Sequence, residues 1–236
     1  MYPRTVADFR TNIDHISARI TDAAQRAQRD PHAVRLVAVS KTHPVEHVQL
    51  GVDAGLRVLG ENKPQELAVK AQNITGVSWC AIGHVQRNKA REIAHFADEF
   101  HALDSLRLAE TLHKRLIDAD RTLTVLVQVN TSMEAQKGGF PPDEVAQFLD
   151  QIAAFDRLQV RGLMTMAALS PEEKIVRHAF SSLRELRDQL APNIADGMSL
   201  EELSMGMSGD FEWAIAEGST CVRIGTALFG TRPIQG

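Results

Sequence analysis

The residues with chemistry to offer in this chain sit directly after short apolar runs. The run from Leu36 to Ser40 is apolar until its last position, and Lys41 follows at once. A lysine mounted on a strand end cannot wander far from whatever the strand is aimed at. Seven further runs end in the same way, in small, polar or charged residues. They close with Gly60-Glu61-Asn62, with Gly83-His84 (Gln86, Asn88 and Lys89 following), with Asp104-Ser105, and with Asn130 ahead of a loop that carries Lys137. The last three close with Met164-Thr165-Met166, with Met205-Gly206-Met207-Ser208, and with Gly225-Thr226 two residues after Arg223. A lone lysine at a strand exit is ordinarily a solvated side chain; a ring of such partners changes that reading. A lysine partly withdrawn from water sheds its proton more readily, because burial disfavours the charged form. Its neutral amine can then form a Schiff base with an aldehyde.

The ring exists only if the elements bring those ends together. The apolar runs RLVAVS, RVLGEN, SWCAIG, EFHALD, TVLVQVN, LQVRGLM, ELSMGM and CVRIGT read as strands. Stretches such as SLRLAETLHKRLIDA, PPDEVAQFLDQIAAF and PEEKIVRHAFSSLRELRDQLA, between them, have the length and period of helices. Ahead of them, Val6, Phe9, Ile13, Ile16 and Ile20 share one helical face, and Arg29-Asp30-Pro31 stops that helix. Alternating strands and helices imply an α/β protein with a parallel sheet and right-handed crossovers. Eight such units in about 200 residues predict a (β/α)8 TIM barrel with one extra N-terminal helix. An open, doubly wound sheet is the alternative. In a barrel the carboxyl ends of all strands share one mouth, where such folds keep their sites.

Barrels of this kind also seat phosphates in the loops after strands seven and eight. Here SMGMSGD offers Gly206 and Gly209 for close backbone approach and Ser208 as a hydroxyl donor, followed by the short helix DFEWAIAEG. The next unit, RIGT, adds Gly225 and Thr226. Backbone N–H groups in such loops hold a phosphate dianion well. A Schiff-base lysine beside a phosphate seat suggests pyridoxal 5′-phosphate (PLP) as the ligand.

Other classes fit poorly. The 236 residues are 44% hydrophobic and 24% charged, with a net charge of −4, whereas nucleic-acid binders concentrate basic charge. No apolar run approaches the roughly 20 residues that span a bilayer, and the N-terminus lacks the pattern of a signal peptide. Cys80 and Cys221 lie inside apolar runs without a CxxC partner, and read as packed core thiols of a cytoplasmic protein. The nine histidines show no metal-ligand spacing, so no metal is expected. His43 and His84, at strand ends, are candidates to touch a ligand; His113 and His178 read as helix-surface residues.

In order along the chain, AVSKT, GENxxQE, IGHxQxNK, NxxxExxKxG, GLMTM, SMGMS and RIGTALFG resemble the pyridoxal-phosphate homeostasis proteins, single-domain relatives of the alanine racemase barrel. The resemblance spans nearly all of residues 1–236 and implies one fold-type III PLP-binding domain. It implies Lys41 as the Schiff-base lysine, Arg223 facing the pyridine nitrogen, and Ser208, Gly225 and Thr226 holding the phosphate. Asn62 and Met166 would lie near the ring. After GEN this chain departs from the family's usual residues with Lys63-Pro64. An arginine stays protonated and leaves the ring nitrogen unprotonated, which weakens the cofactor as an electron sink. The expected function is therefore non-catalytic: intracellular PLP homeostasis, with PLP-dependent apoenzymes as recipients and the chain itself a monomer. A small PLP-dependent racemase or lyase is the alternative. Against it, racemisation needs a base on each face of the cofactor, and the chain's one tyrosine is Tyr2, in the leading segment. The chain ends eleven residues after Gly225, so no second domain is expected to bring another.

Overall fold

The computed structural model describes residues 2–132, 134 and 138–231. The chain enters through α1 (Val6–Arg26), whose start is fixed by a capping box. Thr5 Oγ1 accepts from the Asp8 N–H, and the Asp8 carboxylate accepts from the Thr5 N–H. The helix buries Phe9, Ile16 and Ile20.

Eight strands follow: β1 (Arg35–Val39), β2 (Val58–Glu61), β3 (Ser78–Ala81), β4 (Glu99–Leu103), β5 (Leu123–Gln128), β6 (Leu158–Met164), β7 (Glu202–Met207) and β8 (Cys221–Ile224). Each pairs in parallel with the next, and β8 returns to β1 with Val37 opposite Arg223, so the sheet closes. Closure excludes the open-sheet alternative. Connecting the strands are α2 (Val45–Asp53), α3 (Pro64–Asn73), α4 (Ala90–Phe96), α5 (Leu106–Asp118), α6 (Val145–Ile152), α7 (Glu173–Leu190) and α8 (Phe211–Ala216). A last short helix, α9 (Thr226–Phe229), follows β8. The extra helix α1 lies against α8 and α9, where Arg19 pairs with Glu212 at 2.6 Å.

The strands occupy the eight runs read from sequence, while several end a residue or two early. β1 stops at Val39 and β3 at Ala81, because Ser40 and Gly83 already turn into the loops of the mouth. The sixth helix is shorter than its stretch: Pro142–Glu144 forms a 3-10 turn before α6 begins. His113 is not a plain surface residue, since its ring stacks on Phe155 at 5.0 Å. His178 is exposed.

Cys80 and Cys221 are free and buried, packed with Val37. Burial pushes the Cys221 thiol up to about 11. Among the described residues no helix is long and apolar enough to cross a membrane.

Candidate functional site

The carboxyl ends of the strands surround a cavity of about 890 Å³. Its wall includes Lys41, Asn62, Met166, Ser208, Arg223, Gly225 and Thr226, so the fold brings all seven candidate residues around one space. Lys41 is the one lysine among the described residues that line it. Lys63 caps α3 and is exposed, and Lys89 points to Glu92 at 3.8 Å. Lys137 lies outside the described residues. Lys41 is itself exposed rather than partly withdrawn from water, because the mouth around it stands open.

What fixes Lys41 is a buried charge cluster beneath its backbone. Ser40 Oγ donates to Glu61 Oε1 at 2.6 Å. Lys70, only 3% exposed, donates through Nζ to the Ser40 carbonyl at 2.8 Å, to Glu61 Oε1 at 2.5 Å and to Glu66 Oε1 at 2.9 Å. Glu66 also accepts from the Thr42 N–H, and Thr42 takes a left-handed φ of 69°. The residues on both sides of Lys41 are thus tied to α3 and β2. Burial pushes the Glu61 carboxyl up, against the pull of Lys70. Sequence reasoning missed this cluster. Glu66 and Lys70 are an i, i+4 pair, which in a sequence looks like any solvated helix face.

The candidate anion seat is the neighbour of Lys41 in the barrel, since β8 pairs with β1 and a Cβ on Gly225 would lie 3.2 Å from the Val39 carbonyl oxygen. Ser208 Oγ accepts from the Gly225 N–H at 3.3 Å, which ties the two loops together. At the start of α9 the Gly225 carbonyl accepts from the Leu228 and Phe229 N–H groups, which leaves those of Thr226 and Ala227 without an acceptor inside the helix. Gly206 has a packing role as well as the ligand approach expected of it. Its φ is 95°, and a Cβ there would sit 2.6 Å from the Cβ of Ala214, so it is glycine to let α8 pack on β7. Gly209 meets nothing within 4 Å. If these loops hold a phosphate, Ser208→Ala and Thr226→Ala each remove a hydroxyl donor to a dianion, a bond worth roughly 1.5–3 kcal/mol. Each variant is expected to bind PLP about tenfold to a hundredfold more weakly in equilibrium dialysis. Unchanged affinity in the double variant would place the phosphate elsewhere.

Arg223 rises into the cavity wall from β8. It is 4% exposed, with Nη1 2.6 Å from Ser204 Oγ and Nη2 2.9 Å from the Thr165 carbonyl. Across the mouth, Gly83 touches Asn62 so closely that a Cβ would lie 2.5 Å from the Asn62 carbonyl oxygen. His84 lines the cavity with Nδ1 2.7 Å from Asp104 Oδ2, and Gln128 Nε2 donates to the Gly138 carbonyl at 2.8 Å. His43 also lines it, but its ring packs in a cluster with His47 and Phe229, at 5.0 and 5.2 Å. One trio among the described residues, Cys80, Glu99 and His101, brings metal-ligating atoms within 4.8 Å of one another. Glu99 there already accepts from Arg35 at 2.6 Å, and the guanidinium groups of Arg35 and Arg223 would repel a cation.

A closed parallel barrel whose strand ends gather a lysine, a buried arginine and the serine, glycine and threonine of two adjoining loops around one cavity is the architecture of a class of cofactor-binding barrels. The model of the alanine racemase N-terminal domain matches residues 11–233. The pyridoxal phosphate homeostasis protein of Pseudomonas aeruginosa is 42% identical over 223 residues, 94% of this chain and 94% of its own. PipY of Synechococcus elongatus, solved with PLP bound, superposes with a TM-score of 0.78 at 34% identity, over 91% of this chain and all of its own. An alanine racemase of Clostridium difficile shares the fold (TM-score 0.74, 16% identity), with this chain covering 57% of that one and matched over 96% of its own length. The chain belongs to the alanine racemase N-terminal domain family, and within it to the pyridoxal phosphate homeostasis proteins.

Proposed function

We propose that the chain is a single-domain carrier that binds pyridoxal 5′-phosphate in the cavity and holds it without turning substrates over. One observation carries the reading: seven residues chosen for that chemistry line one space, and a single lysine stands among them. When bound, the cofactor supplies an aldehyde and an electron-withdrawing ring. Lys41 offers its amine to the aldehyde, and Ser208, Gly225 and Thr226 offer donors to the phosphate. Arg223 would meet the ring nitrogen with a permanent positive charge, and Asn62 and Met166 would lie near the ring. The donor set fits the group: a hydroxyl and helix-start amides for a dianion, an arginine for a ring nitrogen acceptor. PipY with PLP bound and the homeostasis name of the relatives support the same assignment. In this reading the protein is a cytoplasmic monomer that hands its cofactor to PLP-dependent apoenzymes.

The competing reading, a racemase or lyase, has one feature in its favour. His84 stands on the cavity wall with its ring oriented by Asp104, an arrangement that suits a base. Tyr2, by contrast, stacks on His47 at 4.3 Å. Incubating the PLP-loaded protein with L-alanine and L-serine in deuterium oxide separates the two readings. A carrier is expected to yield no D-enantiomer beyond the rate of free PLP. Catalytic D-enantiomer that disappears in Lys41→Ala and His84→Gln would make the protein an enzyme.

A further inference from the structure

Arg223 heads a line of hydrogen bonds that runs down the barrel interior, away from the cavity. Its Nη1 reaches Ser204 Oγ at 2.6 Å, Ser204 Oγ lies 3.0 Å from His101 Nδ1, and His101 Nε2 lies 2.9 Å from Glu99 Oε2. Arg35 then bridges Glu99 and Glu202, each at 2.6 Å. Ser204 and His101 are completely buried, on β7 and β4. Nothing in the reading of the cavity uses either of them.

The chemistry of the partners fixes the direction of each bond. A guanidinium only donates, so Ser204 accepts from Arg223. Burial opposes ionisation of Glu99, but hydrogen bonds from His101 and Arg35 outweigh it and hold that carboxyl at about 2. His101 Nε2 lies 2.9 Å from that carboxylate and 3.5 Å from the Arg35 Nη2 donor, and the shorter contact, to an ionised acceptor, puts a proton on Nε2. Complete burial, with the positive charges of Arg35 and Arg223 adding to it, resists a second ring proton. His101 Nδ1 is then a bare acceptor, and the Ser204 hydroxyl donates into it. Every bond runs one way, from Arg223 through Ser204 and His101 to Glu99. Such a chain gives Arg223 one orientation, because reversing any link would set two donors or two acceptors face to face.

Resting on the reading that Arg223 meets the cofactor's ring nitrogen, we propose that Ser204 and a neutral, Nε2-protonated His101 are positioning residues. They aim the Arg223 guanidinium and through it set the electronic state of the bound ring. The test is the absorbance and fluorescence spectrum of the PLP-loaded protein, compared across Ser204→Ala, Ser204→Thr and Arg223→Gln. Ser204→Ala is expected to shift the band in the same direction as Arg223→Gln, by at least about half as much, while affinity changes less than about threefold. Ser204→Thr restores the hydroxyl and is expected to restore the spectrum. A wild-type spectrum in Ser204→Ala beside a shifted one in Arg223→Gln overturns the positioning role alone. Unchanged spectra in both variants would mean that Arg223 does not meet the ring, which removes the underlying reading and this one with it. Nitrogen NMR of the wild-type imidazoles, with the His101 signal identified by its loss in His101→Gln, tests the chain in the native protein. The His101 ring is expected to stay neutral from about pH 8 to about pH 5, with the proton on Nε2. A proton found on Nδ1 overturns the proposal.

Discussion

Borohydride treatment of the PLP-loaded protein is expected to fix the cofactor on Lys41 and on no other lysine. A Schiff base needs an amine whose reach is set before the aldehyde arrives, and Lys41 is the one lysine on the described cavity wall. Its backbone is pinned on both sides, through Ser40 to Lys70 and Glu61, and through Thr42 to Glu66. The loaded protein should be yellow, and peptide mapping after reduction should place the label at residue 41. In Lys41→Ala the visible band should vanish, while the seat of Ser208, Gly225 and Thr226 remains, so PLP still binds, more weakly and without colour. The competitors make the experiment decisive. Lys63 and Lys89 stand off the wall, and Lys137 is tested directly by the map because its place is outside the described residues. Label on any of these three, with Lys41 unmodified, would sink the assignment.

Sequence carried the mouth of the barrel further than its interior. Strand ends announce themselves, because an apolar run that stops at Ser40-Lys41 or Gly225-Thr226 marks the place where burial gives way to chemistry. Hence all eight strands and the seven cavity residues were legible. The supports were not. Lys70 in ELAVK, His101 in EFHAL and Ser204 in ELSMG look like a helix-surface cation and two unremarkable strand positions. What makes them count is a partner that folding supplies: Lys70 on α3 meets Glu61 nine residues back on β2, and His101 meets Ser204, 103 residues on, across the closed barrel. Gly206 has a further reason to be glycine that was hidden in the same way: a Cβ there would meet Ala214 of α8.

Lys70→Met should be the most destabilising single change near the site. The side chains of Lys70 and Glu61 are 3% and 0% exposed, and the pair closes at 2.5 Å. A buried ion pair of this kind can contribute little in net terms, since desolvation of both charges offsets their attraction. Removing one partner is another matter, because the remaining charge keeps its desolvation cost and loses the attraction. Breaking such a pair costs about 3–5 kcal/mol. For a chain of this size that lowers the midpoint of thermal unfolding by roughly 6–20 °C. The Ser40 carbonyl would lose its Lys70 donor as well, so the Lys41 mount loosens along with the fold. A double variant, Glu61→Gln with Lys70→Met, should recover much of the loss by removing the stranded charge. The pH dependence has a definite sign. Burial already pushes the Glu61 carboxyl up with Lys70 in place, and losing Lys70 removes the main force holding it down. A carboxyl whose folded value lies above its unfolded value of about 4.3 binds its proton more tightly in the native state. The deficit of Lys70→Met should therefore shrink as pH falls toward about 4.3 and widen as pH rises above it. Urea unfolding of the wild type and both variants across that range measures all three effects. A Lys70→Met protein within about 1 kcal/mol of the wild type at neutral pH would show that the cluster beneath Lys41 is solvated and does not hold the lysine in place.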